Sequence, residues 1–156
     1  MVATYTAAPV SLTIVPTNMV GASFYAYSSI SLATALTAND LVLMCPVPNG
    51  YAIMDAVIDT DAIDSGASPG LRLALGDSGN ATRFITSANT AVAGPQHANV
   101  PGSIGYAYSI ATTGGNPGYT VMQVKCTTAA STFVTGFLRV AVELQQISNL
   151  ASAPFI

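Results

Sequence analysis

Apolar residues recur at every second position in several short segments of the chain. Residues 71–75 place Leu71, Leu73 and Leu75 on one side of an extended backbone, and residues 104–110 alternate in the same way. A period of two is that of a β-strand with one buried face. The longest segment of this kind is 133–144, whose apolar face consists of Val134, Leu138, Val140, Val142 and Leu144.

Further segments rich in Val, Ile, Thr, Tyr and Phe also predict strands, because these residues fit a pleated surface. Glycine and proline separate the segments, and no window shows helical spacing together with capping residues. The stretch 87–118, rich in Gly, Ala, Asn and Pro, is predicted to hold the longest loops. The chain is therefore predicted to be an all-β, single-domain β-sandwich of jelly-roll-like type. The further strands are predicted at 10–15, 22–32, 40–45, 51–59, 82–86 and 119–127.

The two ends of the chain differ from its middle. We predict an N-terminal arm over 1–18, a sandwich domain over 19–147 and a C-terminal arm over 148–156, since both ends contain proline and no charged side chain. They are either frayed tails or arms that lie across a neighbouring subunit, and the sequence favours neither. The residues predicted to make interface contacts are Val10, Leu12, Ile14, Phe155 and Ile156.

Charged residues are scarce in this chain. They make up 7% of it, against about 25% in an average soluble domain. A free monomer stays in solution largely through a mixed charged surface, so this composition predicts that much of the surface is covered by copies of the chain or by another protein. Four basic residues and a net charge of −3 do not suit nucleic acid.

Three further observations bear on the cellular location of the protein and on whether it binds a cofactor. No stretch reaches the roughly 18–20 consecutive apolar residues that a membrane-spanning helix needs, so no membrane partner is predicted. The N-terminus lacks the basic start of a secretory signal, which predicts assembly in the cytoplasm. The glycine-rich Gly76–Gly79 follows a strand and opens no helix, so it does not indicate a phosphate cradle, and no cofactor is predicted.

Cys45 and Cys126 are the only cysteines, and both lie in apolar strand-like segments. Buried free cysteine behaves as a small hydrophobic residue, and a cytoplasmic site of synthesis favours thiols over a disulfide. The sequence thus favours two buried thiols, with a disulfide as the alternative.

Acidic residues concentrate in one place, around the sequence DTDAIDSG. A calcium loop of the EF-hand type needs a different acid spacing and a glutamate at its twelfth position, and neither is present. The residues that would hold a hard cation are Asp59, Asp61 and Asp64. The pattern favours a structural role, in which Asp59 and Asp61 end a strand and Asp64 forms an Asx turn. Arg72 or Arg83 is available to pair with the carboxylates.

No combination of residues predicts catalysis. His97 is the single histidine, and no serine stands in a G-x-S-x-G elbow that it would serve. Paired carboxylates for glycoside hydrolysis would have to come from the aspartate group, without a tryptophan to form a sugar platform. The sequence therefore predicts a protein that is not an enzyme.

The central part of the sequence resembles the cement or decoration proteins, small head proteins of tailed bacteriophages. The resemblance covers about residues 35–145 and lies in short turn and strand signals. One departure is the sequence DTDAIDSG, where the family more often has adjacent acids. The matching positions are Ala38–Asp40, Pro48–Gly50, Asp61–Gly66, Leu73–Asp77, Arg83–Ile85 and the late strand Thr135–Glu143.

This resemblance implies a jelly-roll domain that binds the outer surface of a phage head. Such a protein associates with itself, as a dimer or a trimer, and bridges neighbouring major capsid subunits. Two alternatives stay open: a trimeric fibre or receptor-binding head domain, and a sugar-binding or hydrolytic jelly roll. A shell-forming coat protein has less support, because the chain lacks a basic arm.

Overall fold

A computed structural model describes residues 2–6, 23–48, 51–90, 93–105 and 119–146 of the chain. Nine strands and one short 3-10 helix, Pro101–Ser103, lie within these ranges. The strands are β1 (Thr4–Thr6), β2 (Ser23–Leu32), β3 (Leu41–Pro48), β4 (Tyr51–Thr60), β5 (Arg72–Asp77), β6 (Asn80–Asn89), β7 (Gly94–His97), β8 (Tyr119–Thr128) and β9 (Gly136–Gln146).

The strands form two sheets. The four-stranded sheet has the order β2-β9-β4-β7, and the five-stranded sheet has the order β1-β3-β8-β5-β6. All neighbours are antiparallel except β1, which runs parallel to β3. From β2 to β9 the chain changes sheet at every connection except the β5–β6 hairpin. This is the all-β sandwich predicted from the strand pattern, with β1 added at one edge.

The core consists of the inward-facing residues of both sheets. Leu138, Val140, Val142 and Leu144 of β9 are buried, as their spacing predicts. Val134 does not share that face, because it precedes β9 and is exposed. The largest side chains that are fully buried are Phe84, Ile53, Ile58, Ile63, Leu71, Leu73, Leu75, Ile85, Met122 and Leu138.

Two short strands were not predicted, and one predicted strand needs correction. β1 and β7 have three and four residues, too few for a period to show. The described part of the stretch 87–118, predicted to hold the longest loops, contains the end of β6, all of β7 and the 3-10 helix, and the rest of that stretch lies outside the described residues. Residues 104 and 105 lie outside any strand, contrary to the strand predicted over 104–110, whose remainder falls outside the described residues. The predicted strand 10–15 does so as well.

The predicted domain limits are only partly within the described residues. Thr4–Thr6 of the predicted N-terminal arm pair with Leu41–Leu43 of β3, so this short piece belongs to the sandwich edge. The remainder of the predicted arms, apart from Val2 and Ala3, lies outside the described residues. None of the described residues forms a helix long and apolar enough to span a membrane.

Candidate functional site

The outer face of the four-stranded sheet brings together side chains from β2, β9, β4 and β7. The backbone register places Tyr27 beside Ala141, and Ala141 beside Val57. It places Val57 beside His97 on β7. Because alternate residues of a strand point to the same side, these positions form one row across the outer face. The adjacent row consists of Ser29, Arg139, Asp59 and Pro95.

A shallow groove of about 290 Å³ lies between these two rows. Its floor is apolar, while a carboxylate and a guanidinium stand along one side. Such a surface fits an apolar group of a partner flanked by polar contacts. The residues that line it are Tyr27, Val57, Asp59, Pro95, Arg139 and Ala141.

Arg139 is the centre of a charged network on this face. Its Nη1 donates to Asp61 Oδ1 at 2.9 Å and to Asp59 Oδ2 at 3.3 Å. The Phe137 amide donates to the other Asp61 oxygen at 2.9 Å, and the guanidinium lies 5.4 Å from the centre of the Phe137 ring. The Phe137 amide, together with Arg139, lowers the pKa of the Asp61 carboxyl, and the hydrogen bond to Asp61 raises the pKa of Arg139.

His97 pairs with Asp55 at the other side of the groove. The Nδ1 atom lies 2.6 Å from Asp55 Oδ2, and both side chains are accessible to solvent. An aspartate that orients a histidine is one half of a hydrolytic triad. The other half is a nucleophile on the second ring nitrogen, and no hydroxyl or thiol of the described residues hydrogen-bonds there. Within the described residues, this pair therefore has no nucleophile to activate.

Exposed aromatic residues border the same face. Tyr25 is 67% exposed, Tyr27 45% and Phe137 46%. These three residues lie on the neighbouring strands β2 and β9. Aromatic side chains are enriched at protein interfaces. The sequence analysis did not identify these three residues as exposed, although Tyr25 and Tyr27 flank Ala26 at the spacing of a strand with two different faces.

Asp64, three residues after Asp61, has a different environment. It is 2% exposed and belongs to the β4–β5 connection, where it forms an isolated backbone bridge with Phe133 of the β8–β9 connection. Each of its two oxygens accepts three hydrogen bonds, at 2.7–3.3 Å. The bond to the Gly66 amide forms the predicted Asx turn. The six donors are the amides of Gly66, Gly70, Leu71, Ser131 and Thr132 and the hydroxyl of Ser131.

These bonds decide the charge state of Asp64. Burial by itself raises the pKa of this carboxyl, but the hydrogen bonds from Thr132, Ser131 and Gly70 outweigh burial and hold the pKa well below its usual range. The carboxylate is satisfied by protein donors, and those of Asp59 and Asp61 are directed at Arg139. Of the three aspartates that were cation candidates, two therefore share Arg139 and the third binds backbone amides and the Ser131 hydroxyl.

Two more buried aspartates support turns in the segments that carry the family resemblance. Asp40 accepts from the amides of Ala3 and Thr37, both at 2.8 Å, and the Thr37 and Ala3 amides lower its pKa. The preceding Asn39 has φ = 75°, a left-handed conformation that asparagine tolerates. The Asp40 carboxylate thus binds the residue directly before β1 to the turn that starts β3.

Asp77 closes the β5–β6 hairpin. It accepts from the amides of Gly79 and Asn80 at 2.9 and 2.8 Å. It also pairs with Arg83 at 2.8 Å, so the prediction that Arg72 or Arg83 pairs with Asp59, Asp61 or Asp64 was wrong for Arg83, and Arg139 takes that place. The other predicted partner, Arg72, donates to Asn89 at 2.8 Å. Gly76 is needed beside this turn, because a Cβ there would meet the Ala81 carbonyl carbon at 2.5 Å.

Both cysteines are free and buried, which confirms the favoured prediction of two thiols. Burial raises the pKa of each thiol to about 11, and the nearby Asp40 carboxylate contributes at Cys126. Since the thiolate is the nucleophile and the metal ligand, neither cysteine is suited to chemistry.

The residues predicted to make interface contacts lie outside the described residues. They are Val10, Leu12, Ile14, Phe155 and Ile156. The described part of the structure therefore does not test these contacts, and they remain a prediction.

The fold is similar to two solved phage structures over nearly the whole chain. A chain of the cyanophage Pam1 capsid asymmetric unit is 24% identical, with a TM-score of 0.68 over 87% of this chain and 93% of that chain. A chain of the capsid of Ralstonia phage GP4 is 17% identical, with a TM-score of 0.78 over 94% of this chain and 99% of that chain. No protein-family model and no curated protein matches the sequence. At these identities the likeness establishes a shared fold, a complete all-β sandwich.

Proposed function

We propose that this protein is a structural component of a phage head, a cement or decoration protein on its outer surface. The observation that carries the proposal is that its fold matches chains of two phage capsid structures over 87% and 94% of its length. Fold alone does not determine function, so the composition and surface of this chain have to support the same role.

The surface supports it in two ways. Charged residues make up 7% of the chain, which suits a protein that covers its surface with partners. The outer face of the four-stranded sheet adds exposed Tyr25, Tyr27 and Phe137 next to an apolar groove. Stable interfaces bury about 1,200–2,000 Å² and have charge-depleted centres. A protein that bridges two capsid subunits needs surfaces of this kind.

In this proposal the arms and the outer face of the four-stranded sheet share the contacts with neighbouring capsid proteins. Several weak contacts per oligomer raise the effective affinity without one strong site. No catalytic step is involved, so His97→Ala should leave head binding unchanged. A loss of head function in His97→Ala, with the fold intact, would instead favour the hydrolytic or sugar-binding alternative.

The experiment that tests the role compares phage particles made with and without this gene. Without the protein, we expect heads that lose one layer of density in electron microscopy and release DNA at a lower temperature. Density at the tail tip, with unchanged heads, would contradict the proposal and favour the fibre alternative. Unchanged particles would also contradict it.

The role of the arms is tested by adding purified variants to heads that lack the protein. Val10→Ser/Leu12→Ser/Ile14→Ser and Phe155→Ser/Ile156→Ser should each lower occupancy. The matched control is Val134→Ser, which also removes an exposed apolar side chain. Equal occupancy of all variants would show that the arms do not make the contacts.

A further inference from the structure

The net charge of the chain is concentrated on the outer face of the four-stranded sheet. The four basic and seven acidic side chains of the chain all lie within the described residues. On this face the carboxylates of Asp55, Asp59, Asp61 and Glu143 stand against a single cation, Arg139. The three acids and three cations elsewhere in the chain balance one another. This one face therefore accounts for the whole net charge of −3.

The chain itself has nothing further with which to neutralise this face. Its other carboxylates, those of Asp40, Asp64 and Asp77, are buried and accept hydrogen bonds from turns of the fold. The parts of the chain outside the described residues contain no charged side chain. Any counter-charge for the outer face therefore comes from another molecule.

Two of the four carboxylates on the face are directly opposite each other, Asp55 on β4 and Glu143 on β9. Directly opposite side chains of an antiparallel pair have Cβ atoms about 4.5–5.5 Å apart, and like charges in this position are destabilising. Asp55 has His97 at 2.6 Å, whereas Glu143 has no hydrogen-bond or ion-pair partner among the described residues. A cation between the two carboxylates would replace this repulsion by attraction.

Tyr25 extends the same row on the side of β2. The register places it opposite Glu143, and it is the most exposed of the tyrosines on this face. An arginine guanidinium can stack on an aromatic ring and also form paired hydrogen bonds with a carboxylate. The row of Tyr25, Glu143 and Asp55 offers both kinds of contact to one cationic side chain.

The apolar groove begins at the next row, which contains Tyr27, Ala141 and Val57. Successive rows on one face of a sheet are two residues apart along each strand, or about 7 Å. An extended segment that runs along the strands carries its same-side side chains at the same spacing. Such a segment can place a cation on the first row and an apolar side chain in the groove.

We propose that this outer face binds an extended segment of a partner protein that has an arginine or a lysine two residues from an apolar side chain. The cation lies between Asp55 and Glu143 beside Tyr25, and the apolar side chain enters the groove. The net charge of the face repels acidic segments, so the face also selects its partner. The inference deepens the proposed function and rests on it for the identity of the partner, a neighbouring capsid protein.

The test adds purified variants to heads that lack the protein and measures their affinity from occupancy. The affinity of the wild type should fall at least about fivefold between about 0.05 and 0.5 M NaCl, because salt screens the charges. Asp55→Asn/Glu143→Gln should bind about tenfold more weakly than the wild type. Ala141→Phe fills the floor of the groove without a change of charge and should also bind more weakly.

The matched control is Thr86→Lys/Thr128→Lys, which shifts the net charge by the same two units at exposed positions of the five-stranded sheet. It should bind like the wild type, and circular dichroism checks the fold of every variant. Wild-type affinity of Asp55→Asn/Glu143→Gln would overturn the inference and leave the proposed function standing. An equal loss in the control would also overturn it, because net charge and not this face would then decide binding.

A peptide titration tests the inference separately from the proposed function, which fails by itself if the wild type does not bind heads. The probes are two acetylated and amidated pentapeptides, TRTLT and TETLT, added to the purified chain and followed by NMR. TRTLT should shift the amide signals of Tyr25, Ala141 and Glu143, and TETLT should not. No shift with TRTLT, equal shifts with both peptides, or shifts confined to other surfaces would overturn the inference.

Contact between copies of the chain is the other possible use of this face. Sedimentation velocity of the wild type and of Asp55→Asn/Glu143→Gln distinguishes it. The two proteins should have the same oligomeric state. A change of oligomeric state in the variant, with unchanged affinity for heads, would assign the face to self-association and overturn the inference.

Discussion

Asp61 and Asp64 are three residues apart in the sequence and lie in opposite physical environments. Asp61 stands at the rim of the outer face, partly exposed, and shares Arg139 with Asp59. Asp64 is buried between two loops, with six protein donors and no cation among its described partners. Asp61 forms an ion pair at the surface, and Asp64 forms hydrogen bonds with both the β4–β5 and the β8–β9 connections.

The difference shows that the number and burial of donors determine what a carboxylate contributes. An exposed ion pair adds little stability, because water and salt screen it. A buried carboxylate leaves several donors unsatisfied when it is removed, and each of these donors then carries its full desolvation cost. Sequence proximity and equal charge say nothing about this difference.

The largest effect is expected for Asp64→Asn. The amide places an N–H₂ group where one oxygen now accepts three hydrogen bonds, so donors face donors. We expect the Tm to fall by about 10 °C or more, measured by thermal unfolding in circular dichroism. Asp59→Asn is the matched control and should stay near the wild-type Tm. Equal Tm values for the two variants would contradict the contrast between the two sites.

The next effect is the dependence of stability on pH. The pKa of Asp64 and of Asp61 is lowered in the folded protein. A carboxyl with a lowered folded pKa adds stability above its unfolded pKa, and this stability is lost as the pH falls toward the folded value. We therefore expect the wild-type Tm to fall between about pH 5 and pH 2, with Asp64 as the main contributor.

Asp64→Asn separates the two contributions to this acid effect. Because the variant lacks the Asp64 titration, its Tm should change less over the same pH range. Asp61→Asn should keep most of the wild-type slope, since its carboxyl is more exposed. Parallel pH curves for the wild type and Asp64→Asn would show that Asp64 is not the source.

A smaller effect is expected for Arg139→Met. This change removes the ion pairs with Asp59 and Asp61 but keeps most of the aliphatic packing. The Tm should fall by less than about 3 °C, and added salt should reduce the difference from the wild type. Lys125→Met, a strand cation of the other sheet, is the control. A fall in Tm as large as that of Asp64→Asn would mean that the ion pairs of Arg139 stabilise the fold as strongly as the hydrogen bonds of Asp64 do.

The smallest effects distinguish the two acids that share Arg139. Asp61→Ala loses a hydrogen bond from the Phe137 amide at 2.9 Å and the shorter ion pair. Asp59→Ala loses only the 3.3 Å contact. We expect the Tm of Asp59→Ala to stay within about 1 °C of the wild type, with that of Asp61→Ala slightly lower. The opposite order would indicate that Asp59 is the principal partner of Arg139.

The strand pattern predicted most of the sandwich because burial imposes a period of two wherever a strand covers the core. β9 shows this clearly, with four buried residues at alternate positions. The pattern failed for Val134, whose spacing fits the strand although the residue lies before it. It also failed for β1 and β7, because neighbouring strands define such short segments and their own side chains do not.

The candidate site was harder to predict. Acid spacing indicated an Asx turn at Asp64, which the structure contains, and a strand end at Asp59 and Asp61, where β4 ends at Thr60. The groove and the exposed aromatic residues were missed, because they join residues up to 114 positions apart, from Tyr27 to Ala141. Only strand order and register bring such residues together.

The sequence by itself determined the all-β class, favoured two buried thiols over a disulfide and indicated the Asx turn at Asp64. These features follow from local chemistry, since period, turn residues and composition act within a few positions. The tertiary structure decided which sheet each strand joined and which aspartate was buried. It also decided that β2 became the outermost of the described strands in the four-stranded sheet. Those outcomes depend on contacts between distant segments, and no local pattern encodes which partner a strand finds.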